Sequence, residues 1–499
     1  MSKKKYFLCL IFPFVLSSCS GVKFSEFKNY TIDNDKYELV QGNGYYKPAK
    51  LEDNYQALIQ DFPYVGTQKF TTIPSIGNQK MLVIPIEFKD SPCSTLPNGC
   101  EKTKNQIANS FFGTNSRNSF RSVAAYFNET SFGKLHLSGK VANWFTSNKY
   151  TLSDLRANKD LVIDLAIEAL EDYKINNDDV LDFDNDKDGF VDGVAFIYSA
   201  NYETRNSAFW AYQSAANLSP NKNSPTLKTF LWASYQYMNA NDVFTSVDGH
   251  TYIHETGHLL GLKDYYPQDS TQKCKPLGGM DMMDYNLGDE NTFSKLLLNW
   301  TRPYVITDET TITIEAAYKK GDCILIPAGS WNGSAMDEYL LLELYSPHGL
   351  NEYDSSTQYQ YDNEIISLMT KPGVKIFHVD ARIAYYMTFN KKPFIGYANE
   401  DNIENILKDY DEVGQKYYRN LAHSNTISNS ENGNLLIELL DKHGNDYLQQ
   451  GNIVTNDSLY HSGDVFDNEL VFHNGGKLPY KITFENVNDN SAKIIISKR

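Results

Sequence analysis

Residues 81–88, MLVIPIEF, form a compact apolar run that stops at Lys89 and Asp90. A run of that length closed by charge is the pattern of a buried strand. Residues 118–127 and 160–173 change to helical spacing, the second placing Val162, Ala166, Leu170 and Tyr173 on one face. GVAFIYS at 193–199 returns to strand character. Strands alternating with helices predict a mixed α/β domain over 80–305. Past Trp300-Thr301-Arg302-Pro303 the pattern shortens into alternating segments at 311–315, 339–344, 374–379 and 435–440. These predict a β-rich domain over 306–430 and a β-rich segment over 431–499, the latter ending in a hairpin of 480–487 and 492–497 around Asn488-Asp489-Asn490. Residues 19–79 are polar and rich in tyrosine and asparagine without clear periodicity, which reads as a tether with room for a pro-segment. No fixed-period repeat is evident.

The first residues follow a different logic. Lys3, Lys4 and Lys5 precede a short apolar stretch, residues 6–16, too short to cross a bilayer as a helix. Leu16-Ser17-Ser18-Cys19 follows and looks like a bacterial lipobox. Residues 1–18 are therefore expected to be a lipoprotein signal peptide, with Cys19 lipidated and the chain held on the outer face of the cell membrane. The competing reading is an ordinary secreted protein cut at a nearby small residue.

Composition narrows the partners. The chain is 41% hydrophobic and 22% charged, as in globular proteins, and its formal net charge is −16. No Lys/Arg-dense stretch beyond the N-terminus could follow a phosphate backbone, so nucleic acid is not expected as a partner. Setting aside Cys9 and Cys19, four cysteines remain: Cys93, Cys100, Cys274 and Cys323. Cys93 and Cys100 bracket a Pro/Gly/Asn-rich loop that could close as a small disulfide in an oxidising exterior. Four free thiols are the alternative, and four cysteines allow three pairings.

The chemistry concentrates in HETGHLLGLKD, residues 254–264. Residues four apart share a helix face, so His254 and His258 can offer imidazole nitrogens to one Zn²⁺ while Glu255 reaches a water beside it. Gly261 permits the helix to stop and the chain to swing back, carrying Asp264 to the metal as third ligand. Three protein ligands leave one position open, the mark of a catalytic zinc. If Asp264 instead orients a ligand, a later carboxylate such as Glu290 completes the set, as in thermolysin-like enzymes. GGMDMMD at 278–284 resembles the methionine turn beneath the metal of metzincins, with Met283 the candidate methionine. Tyr285 could approach the metal or the substrate oxyanion. His250, a turn before His254, reads as a cap or support, and His378 and Asp380 as hydrogen-bonding residues sharing a strand face.

A second cation signal is DFDNDKDGFVD, residues 182–192. Carboxylates at alternate positions before a glycine turn converge on a hard cation, here Ca²⁺, with Asp184, Asp186, Asp188 and Asp192 as ligands. The twelfth position is Ala195 instead of a bidentate glutamate, so the loop is a structural site and not an EF-hand sensor.

Together with YFNETSFGKL at 126–135 and GVKIFHVDAR at 373–382, these motifs resemble the immune inhibitor A family of bacterial metallopeptidases. Order and spacing match over some 300 residues. The resemblance implies an α/β metzincin-like zinc peptidase domain followed by a β-rich, sandwich-like C-terminal region. It also implies a secreted endopeptidase acting on protein or peptide substrates and stabilised by calcium. Many metzincins carry a third histidine where this chain has Asp264, although aspartate occurs there in this family, and carboxylate is a competent zinc ligand. The rival from another class is a cell-surface binding lipoprotein or adhesin on an inactive peptidase fold; the intact glutamate of the HExxH motif argues against it.

Overall fold

The computed structural model describes residues 37–40, 43–48, 73–114, 120–238, 248–267, 272–329, 331, 335–361, 364–389, 392–397, 416–420, 422, 433–444 and 446–499. Cys19 and the whole signal segment lie outside the described residues. The chain is mixed α/β, as the alternation of periods predicts.

The run at 81–88 is the buried half of a long strand, Gly77–Phe88. It sits inside a six-stranded sheet ordered Leu135–Val141, Gly77–Phe88, Val194–Tyr198, Thr229–Ser234 and Tyr212–Ala215, with Phe145–Ser147 also paired to the long strand. All pairs are parallel except the antiparallel edge strand Tyr212–Ala215. Period-two alternation then sorts the apolar side chains. Leu82, Ile84 and Ile86 enter one core with Val162, Leu165, Ala166 and Leu170 of the helix Leu161–Asn176. Met81 and Val83 enter another, with Ile107 and Phe111 of Gly99–Phe112 and Tyr252 and Ile253 of His250–Leu259.

The helix predicted over 118–127 runs instead over Val123–Thr130. Ser122 is the reason: its hydroxyl accepts from the Ala125 N–H at 3.2 Å and so caps the first turn. Residues 118 and 119 lie outside the described residues.

The later segments form a seven-stranded sheet ordered Tyr37–Val40, Tyr45–Pro48, Tyr304–Ile306, Cys323–Pro327, Glu338–Tyr345, Gly373–Asp380 and Ile437–Leu439. Its first two strands come from the segment that reads in sequence as a tether. One face, through Leu325, Leu341 and Phe377, shares the core of the metal-motif helix. The other face, through Ile324, Ile326, Leu340, Leu342 and Ile376, packs on Ile314, Ile482, Phe484, Ile494 and Ile496. Those residues belong to a four-stranded sheet of Thr310–Glu315, Ser491–Lys498, Tyr480–Glu485 and Val465–Phe466, whose hairpin is the one predicted at the C-terminal end. Cys93 and Cys100 are joined by a disulfide, while Cys274 and Cys323 are free thiols. Among the described residues no helix is long and apolar enough to cross a membrane.

Candidate metal centre

The helix His250–Leu259 is buried nearly all round, which its sequence allows because Tyr252, Ile253 and Leu259 share it with the small residues Thr256 and Gly257. The Tyr252 hydroxyl donates to the Ser234 carbonyl at 2.7 Å, fixing the helix to the end of a sheet strand. At its C-terminus the Gly261 N–H donates to the His258 carbonyl at 3.0 Å and the Leu262 N–H to the Gly257 carbonyl at 2.9 Å. With Gly261 at φ +96°, that is a Schellman ending, and it reverses the chain as the glycine predicts.

The reversal has two chemical consequences. It brings the Leu262 carbonyl to 2.8 Å from His258 Nδ1, and it returns the Asp264 carboxylate to both imidazoles. Asp264 Oδ1 lies 3.0 Å from His254 Nε2 and 3.1 Å from His258 Nε2. One donor atom from each of the three residues falls within 4.8 Å of the others. Glu290 is not in this group; its side chain is buried elsewhere, beside Asp281, Asp289 and Lys295.

The glycine-methionine turn supports the site from below. The Met282 carbonyl is 2.8 Å from His254 Nδ1, so in both histidines Nδ1–H donates to a backbone carbonyl and Nε2 is the nitrogen that could take a metal. A Cβ at Gly257 would stand 2.6 Å from Met283 Sδ, so glycine is what lets Met283 lie directly under the helix. The Tyr265 N–H donates to the Met283 carbonyl at 2.7 Å, tying the residue after Asp264 to the same turn. Asp281 holds the turn, accepting from the Met283 N–H at 2.9 Å and the Asn291 N–H at 3.0 Å.

Glu255 is buried on the same helix, and its Oε2 has no hydrogen-bond partner. Burial raises the pKa of its carboxyl group, and the neighbouring His258 and His254 oppose that rise. Burial likewise lowers the His258 imidazole, but Asp264 outweighs it and pushes the ring up to about 9. A half-buried carboxylate shared by two imidazoles, beside a buried second carboxylate with an unsatisfied oxygen, is a donor set that could hold a metal cation.

Tyr266 was not singled out by the sequence motifs. Its ring stacks on His254 with centroids 6.1 Å apart, and the Arg205 guanidinium lies 5.0 Å from its centroid. Burial, Asp264 and Glu255 all raise its phenol, and Arg205 opposes them. Its place two residues past Asp264 is the one sequence signal that could have marked it; Arg205, far away in the chain, carried none. The Tyr285 ring packs over Gly279, where an added Cβ would meet it at 2.9 Å, and the Lys275 ammonium is 5.9 Å from its centroid. His250 serves as a support, held between Asp248 at 2.5 Å and Asp354 at 3.2 Å.

In the aspartate-rich loop, Asp184, Asp186 and Asp192 bring carboxylate oxygens within 4.8 Å of one another. Asp188 is not in that group; its Oδ1 accepts from the Phe190 N–H at 2.9 Å. Asp184 and Asp192 are buried, and each leaves its Oδ1 without a partner. Burial, then Asp186, push Asp192 up to about 9. Lys187 and Gly189 take positive φ, 63° and 97°, to fold the carboxylates inward. Asn185 fastens the loop to the long strand, accepting from the Lys80 N–H at 2.8 Å and donating to its carbonyl at 3.1 Å.

No protein-family model matches the chain, and no curated protein matches it.

Proposed function

We propose that this protein is a zinc-dependent endopeptidase of metzincin-like fold, stabilised by calcium and held by lipidated Cys19 on the outer face of a bacterial cell membrane. The observation that carries the reading is the convergence of His254, His258 and Asp264, with both Nδ1 atoms committed to backbone carbonyls, beside the unpartnered oxygen of Glu255. Zinc held there by His254, His258 and Asp264 would supply Lewis acidity, acidifying a water and polarising a peptide carbonyl. Glu255 accepts the proton of the attacking water and hands it to the departing amine, so one carboxyl group serves both halves of hydrolysis. Burial of that carboxyl raises its proton affinity, which suits a group that must take up a proton and release it near neutral pH. His254 and His258, their tautomers fixed by the Met282 and Leu262 carbonyls, would hold the metal through Nε2, and Asp264 would add the negative charge that favours a dication. Tyr266, stacked on His254, walls one side of the site. Carboxylates at Asp184, Asp186 and Asp192 suit Ca²⁺, with Asp188 adjoining them. The Cys93–Cys100 disulfide is consistent with export, since such bonds persist mainly in oxidising compartments.

The test is a Glu255→Gln variant. It should retain zinc and fold while casein cleavage falls by about 10²–10⁴-fold or more. Undiminished cleavage would refute the role of Glu255, and a wild-type protein lacking chelator-sensitive proteolysis would favour the surface-binding alternative.

A further inference from the structure

The candidate metal centre is flanked by a cation that its own chain leaves unanswered. After the sheet strand Val194–Tyr198 the chain makes a turn over 204–207, where the Ser207 N–H donates to the Thr204 carbonyl at 3.1 Å and Asn206 takes φ +75°. Asparagine tolerates that left-handed position, so the turn closes without glycine. Arg205 stands at its tip and is exposed. The base of the loop is tied down. The Glu203 N–H donates to the Phe209 carbonyl at 2.7 Å, and the Tyr202 N–H to Gln236 Oε1 at 3.1 Å. Rings hold it as well: Tyr202 stacks on Tyr237 with centroids 4.8 Å apart, and Trp210 meets both edge-on. Burial raises the Tyr237 phenol and Glu255 adds to that rise, which sets this aromatic anchor beside the site.

Arg205 is thus a charge held in place. Its guanidinium lies 5.0 Å from the Tyr266 centroid, and Tyr266 stacks on His254 at 6.1 Å. An extended peptide advances about 3.3 Å per residue, so these two steps span no more than about three or four residues from His254. Glu203, two positions before Arg205, is taken by Arg156 at 2.8 Å, and among the described residues no carboxylate pairs with Arg205. Acidic residues outnumber Lys and Arg by 62 to 46 in this chain, so the lone arginine does not reflect a shortage of partners. A guanidinium held against a ring still offers N–H donors at its edge, and a carboxylate matches that fork.

We infer, resting on the endopeptidase reading above, that Arg205 receives an acidic side chain of the bound peptide, so that the enzyme cuts within about three or four residues of an aspartate or glutamate. The test gives full-length protein, loaded with zinc and calcium, quenched peptides in which one residue, Glu, Gln or Lys, is walked through the positions around the cut. At the best position the wild type should show kcat/KM at least about tenfold higher for Glu than for Gln, the size expected of a charge-assisted bond to arginine. That ratio should shrink as salt is raised. Arg205→Gln should bring it to about one, and Arg205→Glu should make the Lys peptide the better substrate. A role confined to packing on Tyr266 would change all three peptides alike. Chelator-sensitive cleavage without preference for Glu, or a preference that survives Arg205→Gln, overturns the inference and leaves the peptidase standing; no cleavage of any peptide overturns both.

Discussion

At the scale of single residues, the proposed zinc reading sets a proton and a metal in competition for the same nitrogen. His258 is held at about 9 without metal, because Asp264 outweighs the lowering effect of burial. A ligand must be neutral to bind, so zinc has to displace that proton at any pH below about 9. Affinity is therefore expected to tighten by up to about tenfold per pH unit between pH 6 and 9, read by competition with a chromogenic chelator. A flat profile would mean that Asp264 does not hold a proton on the pair. His250 obeys the opposite economy, since its charge is meant to stay. Burial lowers it, yet Asp248 and Asp354 raise it to about 10, so the stability it contributes is complete below about pH 6.5 and is lost as pH rises through about 10. His250→Ala strands the buried Asp354 and the half-buried Asp248 and should cost about 3–5 kcal/mol in denaturant unfolding at pH 7. A change within about 0.5 kcal/mol would show the pair to be solvated instead.

At the scale of elements, the helix end decides whether three ligands meet. Gly261 sits at φ +96°, where a side chain is strained by about 1–2 kcal/mol. Gly261→Ala is expected to melt only slightly earlier than wild type yet to bind zinc at least about tenfold more weakly, because the Leu262 carbonyl and Asp264 both depend on the reversal. Equal zinc affinity in a folded variant would show that the return of the chain is fixed elsewhere, for instance by the Tyr265 bond to Met283. The aspartate loop is the second decisive element. Its Asp192 is raised to about 9 by burial and by Asp186, so without a cation the native state binds more protons than the unfolded chain between about pH 4 and 9. Stability should then fall as pH rises across that window in calcium-free buffer. Millimolar calcium should abolish the slope and raise the melting temperature, and scanning calorimetry at pH 5 and pH 8 would show whether it does.

At the scale of the whole molecule, one core joins the helix His250–Leu259 to both large sheets. Tyr252 and Met283 share it with Leu341 and Phe377 of the seven-stranded sheet and with Tyr46 from the segment before residue 79. The helix is thus clamped between the α/β layer and the β-rich region, and removal of either would expose Met283 and its neighbours.

The sequence alone determined whatever depends on local period and spacing. A four-residue interval put His254 and His258 on one helix face, Gly261 marked the reversal, an unbroken apolar run marked the long buried strand, and alternate aspartates marked the loop in which Asp184, Asp186 and Asp192 converge. Short-range geometry dictates each of these, so each is legible wherever the chain is read. Tertiary structure alone decided which backbone carbonyls fix the two tautomers, that Tyr266 and Arg205 flank the site, that Asp188 turns back to its own backbone, and that residues 45–48 complete a sheet begun more than 250 positions later. It also gathered Glu338, His378, Glu438 and His473 into one hydrogen-bonded network. No periodicity links such residues, because strand register and sheet packing, not spacing along the chain, set the distances between them.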